Sequence, residues 1–445
     1  MLSETTKAIS NFGNGQLHPD FIKYFAIVKK AAISSIQENE NKWNNEVYNT
    51  ILKCIDEIIS GYHNKKFNLP LKQGGAGTSI NMMFNEFIAN QTIIQFKKRY
   101  NKEIYIDPVE DINLYQSTND TLPTAFTAMV YYYLNHIENH IIKLQEVLVN
   151  KEEEYSSILL TGRTQLQDAL PIRLGQVFSS YASAIQRDRW RINKLKERVR
   201  TIAIGGTAIG TCFFAPRNYI FTVEKKIREF TGFPLSRSQN LVDEISNQDK
   251  YLEVANGFEI MANNLIKICN DMLLYTSSFL NEIKHPELQY GSTIMAAKTN
   301  PVILEYVKGL AIDTIGEVYK ISIYCRNSNF QLNPFLPFMI ECFINIKSNL
   351  IKALDTIINK FILKITINLE NIEKHFTNSF ALINALVPYI GYNKTKQIYN
   401  LIKNKNITNI EELKKIILEN TELDSEMINK LFEPYFLTGF LKKLN

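Results

Sequence analysis

The stretch LPTAFTAMVYYYLNHIENHIIKLQEVL, residues 122–148, decides the fold. Ala125, Phe126, Met129, Val130, Tyr133, Leu134, Ile137, Ile141, Leu144 and Leu148 recur at steps of mostly three and four, the spacing that lines one face of an α-helix. At 1.5 Å per residue, about 27 residues make a rod roughly 40 Å long. An apolar stripe of that length needs neighbours of similar length to cover it. The sequence supplies them. Leu174, Val177, Phe178, Tyr181 and Ile185 open a segment that ends near Val199, and others run over about 250–275, 301–325 and 338–367. Five long helices imply a bundle.

Before Ser117 the helical patterns are shorter and are broken by the turn Gly74-Gly75-Ala76-Gly77; after about Glu373 they shorten again, over 410–420 and 424–432. No alternating pattern supports a sheet of any size. The expectation is an all-α chain of three mostly helical domains: residues 1–117, residues 118–373 holding the long-helix bundle, and a small C-terminal domain over 374–445. A length of 445 residues is too great for one ordinary core and fits that division.

Composition narrows the function classes. Hydrophobic residues at 45% and charged residues at 21% describe an ordinary soluble globular protein. The net charge of +5 comes from lysines scattered among acidic residues and asparagines, so a solvated surface is expected and not a nucleic-acid stripe. Cys54, Cys212, Cys269, Cys325 and Cys342 are odd in number and far apart, which suits a reducing compartment and neither a disulfide framework nor a zinc site. The start of the sequence has no apolar core of a signal peptide, and no run of about 18 apolar residues suggests a membrane span. A cytoplasmic protein without membrane or nucleic-acid partners is expected, and no metal-ligand cluster suggests a cofactor.

Four blocks carry the chemistry. In the first, Gln73-Gly74-Gly75-Ala76-Gly77-Thr78-Ser79-Ile80-Asn81, glycines allow close backbone approach, and Thr78 and Asn81 supply neutral donors. A structural turn entering a helix would look the same. The second, Gln116-Ser117-Thr118-Asn119-Asp120-Thr121, stands just before the long helix. These are preferred capping residues, and a helix start with free N–H groups beside hydroxyls is also a carboxylate site. The third is Thr161-Gly162-Arg163-Thr164-Gln165-Leu166-Gln167-Asp168-Ala169, leading through Pro171 into a helix expected from Ile172. A buried Arg163–Asp168 pair accounts for its charges, which leaves Thr164 and Gln165 as functional candidates.

The fourth block is Gly291-Ser292-Thr293-Ile294-Met295-Ala296-Ala297-Lys298-Thr299-Asn300-Pro301, a glycine-led loop with a serine, a lysine and a carboxamide. A hydroxyl is a poor base unless its alkoxide is stabilised by cations and backbone N–H groups. Lys298 and the loop amides are the sources at hand. On its own, a serine–lysine spacing of this kind means little.

Taken together, in this order and spacing, the four blocks resemble those of the aspartase/fumarase superfamily, from about Asn11 to the last fifty or so residues. Gly74–Ser79 and Ser117–Asn119 look most like its aspartase branch. The resemblance implies a helical homotetramer with a 20-helix core, each active site assembled from three subunits. It implies a carbon–nitrogen lyase that reversibly removes ammonia from L-aspartate by anti-elimination to give fumarate, with no cofactor. By the same resemblance Ser292 is the base that takes the proton. Thr164, Lys298 and Asn300 hold the α-carboxylate; Thr78, Ser117 and Thr118 hold the β-carboxylate; Asn119 and Gln165 face the amino group, with Thr293 also among the binding residues.

Position 165 bears on the branch. Fumarases and many relatives place His there, opposed by Glu in a block that here reads Asn329-Phe330-Gln331-Leu332-Asn333. Gln165 and Gln331 can only exchange hydrogen bonds. An ammonium leaves as ammonia without prior protonation, whereas hydroxide needs a proton, so this pair suits ammonia loss. None of the six histidines falls in a block. The sequence departs from the family at Ala296 (usually proline), Thr293 (usually serine) and Phe213-Phe214. Two other readings stand beside the first: a lyase of the same chemistry acting on a substituted aspartate or another succinyl compound, or a fumarase; and a catalytically silent homologue kept as a structural or binding protein.

Overall fold

The computed structural model describes residues 3–403, 405, 407 and 409–439. Among the described residues the chain is all-α with three short two-stranded pairings, and its long helices are Pro19–Glu40, Thr78–Tyr100, Thr118–Glu154, Leu174–Arg198, Asp249–Tyr275, Val302–Arg326 and Leu336–Ile357. Every apolar position of the 122–148 stripe is fully buried, from Ala125 and Phe126 to Leu144 and Leu148. The helix begins with a reciprocal cap. The Ser117 carbonyl and hydroxyl accept from the first-turn amides, while Asp120 reaches back to accept from the Ser117 N–H at 3.0 Å. Among the described residues no helix is long and apolar enough to cross a membrane.

Three regions depart from expectation. Before Ser117, where shorter helices were expected, Pro19–Glu40 and Thr78–Tyr100 have 22 and 23 residues, against 22 for Leu336–Ile357. No helix starts at Ile172. Leu159–Thr164 (β1) and Gln167–Arg173 (β2) form an antiparallel hairpin, and the helix begins at Leu174. The register shifts between Thr161 and Arg163, around Gly162, where an added Cβ would lie 2.6 Å from the Leu170 carbonyl oxygen. Glycine therefore permits the irregularity, and Pro171, opposite Thr161, sits next to it, where a strand tolerates a missing N–H. The helix expected over 338–367 ends at Ile357, widens into one π turn over Ile358–Ile362, and then gives Thr366–Ile367 to a short pairing with Ile283–Lys284.

The chain divides into two compact units. The first comprises residues 1–139, 190–262 and 312–351. Its Pro19–Glu40 helix is buried on nearly every side from Phe21 to Ile36, and aromatic rings fill the space beside it: Phe25 lies 4.5 Å from Phe84, which lies 4.3 Å from Phe67. The second comprises residues 140–189, 263–311 and 352–445. It holds the hairpin, the 291–301 loop and an apolar cluster in the C-terminal helices that includes Phe376, Leu382, Ile398, Leu413, Ile417 and Leu431.

Within the first unit, the loop from Gly205 to Pro216 depends on one glycine. Gly210 has φ +87°, and a Cβ there would come within 2.4 Å of the backbone at Leu241 and Val242. Backbone cannot step aside as a side-chain tip can. Gly210→Ala is therefore expected to cost about 2–3 kcal/mol of stability, from overpacking and an incompatible φ together. Urea unfolding measures it, and an unchanged midpoint would contradict this account of the loop.

Candidate active site

The candidate residues fall in both units. In the first, Thr78 opens the Thr78–Tyr100 helix, after Gly77 in the left-handed region at φ +86°. A Cβ on Gly77 would meet Leu122 Cδ1 at 2.3 Å, so the first block lies directly against the start of the long helix. The side chain of Asn81 joins the two, donating from Nδ2 to Thr118 Oγ1 at 3.1 Å and to Asn113 Oδ1 at 3.0 Å. Thr78, Ser117, Thr118 and Asn119 are thus brought to one place. The Ser117 hydroxyl accepts from the Asn119 N–H at 3.2 Å and still has its proton to give.

Beneath this turn lie two buried titratable groups, Lys29 and Asp120. Lys29 Nζ donates to Asn113 Oδ1 at 3.1 Å and Gln116 Oε1 at 3.0 Å. Burial pushes its pKa down to about 7, with Asp120 pulling the other way. Burial likewise pushes Asp120 up to about 7, against the lowering effect of three backbone N–H groups and Lys29. The loop carrying Ala208 is attached here too, through Asn119 Nδ2 donating to the Ala208 carbonyl at 2.8 Å.

In the second unit, Thr164 and Gln165 stand exposed at the hairpin tip, Gln165 and Leu166 both with left-handed φ (54° and 61°). The hairpin is anchored by Arg163, which donates from two nitrogens to the buried Glu282 carboxylate at 2.9 and 2.7 Å. Asp168, the expected partner, lies 3.4 Å from Arg163 Nε and ranks second. Burial works against the Arg163 charge, but Glu282 and then Asp168 outweigh it and hold the guanidinium above its usual range. His375 Nδ1 lies 2.9 Å from the same Glu282 carboxylate. A cleft of about 990 Å³ opens beside this network, lined by Gln165, Tyr181, Lys267, Tyr275 and His375 among others; of the candidate residues only Gln165 reaches it.

The 291–301 loop is closed on itself. Gly291 N–H donates to the Lys298 carbonyl at 2.8 Å, and Asn300 Nδ2 donates to the Gly291 carbonyl at 3.0 Å. A Cβ at Gly291 would sit 2.7 Å from that Lys298 oxygen, so the clasp requires glycine. Inside it Ser292 Oγ accepts from the amides of Met295 at 3.0 Å and Ile294 at 3.2 Å. Two N–H groups aimed at one hydroxyl oxygen stabilise negative charge there. Thr293 and Lys298 are exposed. Among the described residues no hydrogen bond joins this loop to the hairpin tip, and Gln331 sits in a turn of the first unit, bounded by the Asn329–Leu332 bridge.

Lys29, Glu282 and His375 carry no signal within the four blocks. Lys29 alone could have been noticed, as a charge inside the apolar run 21–36. Glu282 is 119 residues from Arg163, and nothing local marks the pairing.

Comparison with known proteins agrees with these features. The family model described as lyase matches residues 4–316. An aspartate ammonia-lyase from a Bacillus species is 34% identical over 443 residues, covering 98% of this chain and 93% of the relative. One from Helicobacter pylori strain 26695 is 33% identical, covering 97% and 92%, and one from Escherichia coli K12 is 35% identical, covering 87% and 83%. The crystal structure of a fumarate lyase:delta crystallin from Brucella melitensis bound to cobalt superposes with a TM-score of 0.90 at 29% identity, covering 98% of this chain and 95% of that one. A class II fumarase from Schistosoma mansoni shares the fold at a TM-score of 0.89 and 22% identity, covering 99% and 95%. With four blocks in order and a match over most of its length, the chain belongs to the lyase family of the aspartase/fumarase superfamily.

Proposed function

We infer that the chain is an aspartate ammonia-lyase, removing ammonia reversibly from L-aspartate to give fumarate. The observation that carries this reading is the state of Ser292: its oxygen is already held by two amide N–H groups in a glycine-clasped loop, with the exposed Lys298 six positions on. The hard step is loss of a weakly acidic C–H proton beside the β-carboxylate. Ser292 Oγ, as an alkoxide stabilised by the Ile294 and Met295 amides, takes that proton and becomes the neutral hydroxyl. The resulting carbanion passes its charge into the neighbouring carboxylate, and the dianionic aci-form is held by the hydroxyls of Thr78, Ser117 and Thr118 at the start of two helices. Ammonia then leaves from the adjacent carbon.

The other roles follow from donor chemistry. Lys298 gives a charge to the α-carboxylate, with Thr164 and Thr293 beside it. Asn300 spends one Nδ2 hydrogen on the Gly291 carbonyl and retains a second for the same carboxylate. Asn119 and Gln165 face the amino group. The three-domain division at 117 and 373, a cytoplasmic setting and a homotetramer whose sites draw on neighbouring copies belong to the same reading. The full-length match to curated aspartate ammonia-lyases supports it.

Ser292→Ala is expected to lower kcat for L-aspartate by about 10³-fold or more, the scale of a lost general base, with little change in succinate binding. A residual rate within tenfold of the parent would rule the hydroxyl out as base. Amination of fumarate, followed by its ultraviolet absorbance, should proceed much faster than hydration to malate. Equal rates would move the chain to the fumarase branch, and turnover only with substituted amines would move it to a substituted-aspartate lyase.

A further inference from the structure

The structure fixes which end of the Asn119 carboxamide is free. Its Nδ2 donates to the Ala208 carbonyl at 2.8 Å. A carbonyl can only accept, so nitrogen must face Ala208 and Oδ1 must face away. No described residue donates to that Oδ1.

Ala208 stands on a backbone that does not rest there easily. Gly205 has φ +81°, and Thr207, a β-branched residue, has φ +57°. One side chain holds both. Asp120 Oδ2 accepts from Gly205 N–H at 3.2 Å and from Thr207 N–H at 3.0 Å, while its Oδ1 accepts from Ser117 N–H at 3.0 Å. Fully buried, it has Lys29 as its nearby cation. A single carboxylate therefore joins the turn that carries Asn119 to the loop that carries Ala208.

We propose that Asp120 is a positioning residue for substrate choice: by clamping Gly205 and Thr207 to the helix start, it holds the Ala208 carbonyl on Asn119 Nδ2, so that Asn119 offers the bound acid an acceptor and favours one bearing an ammonium group. This rests on the ammonia-lyase reading. An ammonium donating to a carbonyl makes a charge-assisted bond, roughly twice as strong as a neutral one. A carboxamide free to turn would present its own N–H groups to the ammonium and lose that preference, while the carboxylate contacts of Ser117, Thr118 and Thr78 would not depend on it.

The test compares L-aspartate with succinate, which has the same two carboxylates and no amino group, in a Ser292→Ala background that prevents turnover. Asp120→Asn keeps size and one acceptor oxygen but turns an NH2 group towards one set of N–H donors. Calorimetry should show the affinity for L-aspartate relative to succinate falling by about tenfold or more, the size of one lost charged hydrogen bond, with succinate itself changed by less than about threefold. A parallel loss for both ligands, or an unchanged ratio, overturns the proposal as a purely structural effect. Should the Asp120→Asn protein not fold, a crystal structure of the Ser292→Ala protein with L-aspartate decides. Asn119 Nδ2 on Ala208 O with Oδ1 within hydrogen-bond reach of the ammonium supports the proposal; a carboxamide turned the other way overturns it. Parent protein that does not turn over L-aspartate at all defeats the ammonia-lyase reading and this proposal with it, an outcome distinct from an active parent whose ligand ratio ignores Asp120.

Discussion

A 37-residue helix with a fully buried apolar stripe is the constraint from which the rest follows. Such a rod cannot be covered by short elements, and the chain answers with other helices of 22 to 27 residues. Chemistry is then left to the places where long helices begin and to the loops between them. Helix starts have unpaired N–H groups, and a dicarboxylate needs donors. The Ser117–Asn119 turn is one such start: the Ser117 carbonyl and hydroxyl cap the rod, and the same turn is the one proposed to hold a carboxylate.

The long helices were legible because their period is uninterrupted. The 122–148 stripe gives the buried face but falls short of the full Thr118–Glu154 helix, whereas the range 250–275 matches Asp249–Tyr275 closely. The hairpin at Leu159–Arg173 was not legible, since a bulge at Gly162 breaks the alternation and Pro171 reads as a helix start when taken locally. The candidate site divides in the same way. Residue types and order within each block could be read, but partners distant in the chain could not. Arg163 has a carboxylate five residues away, yet its closer, two-nitrogen pairing is with Glu282. That Ser292 accepts two amides depends on a backbone turn that residue identity alone does not specify.

Buried polar groups account for much of this difference. Lys29 donates to Asn113 and Gln116, Asn81 donates to Asn113 and Thr118, and Asp120 accepts from the amides of Ser117, Gly205 and Thr207, partners drawn from segments far apart in sequence. Buried hydrogen bonds between distant segments hold those segments in one arrangement. These bonds reach the turn proposed to hold a carboxylate, through Thr118 Oγ1 and the Ser117 N–H.

The self-closed loop at 291–301 has a consequence for affinity. Gly291, Lys298 and Asn300 already satisfy one another, so an incoming acid meets a folded-back segment and not an open one. Any acid that unfastens this ring loses the same internal bonds, whatever it carries at its second carbon. On the proposed reading that common cost would weaken all ligands alike and leave discrimination among them to residues outside the ring.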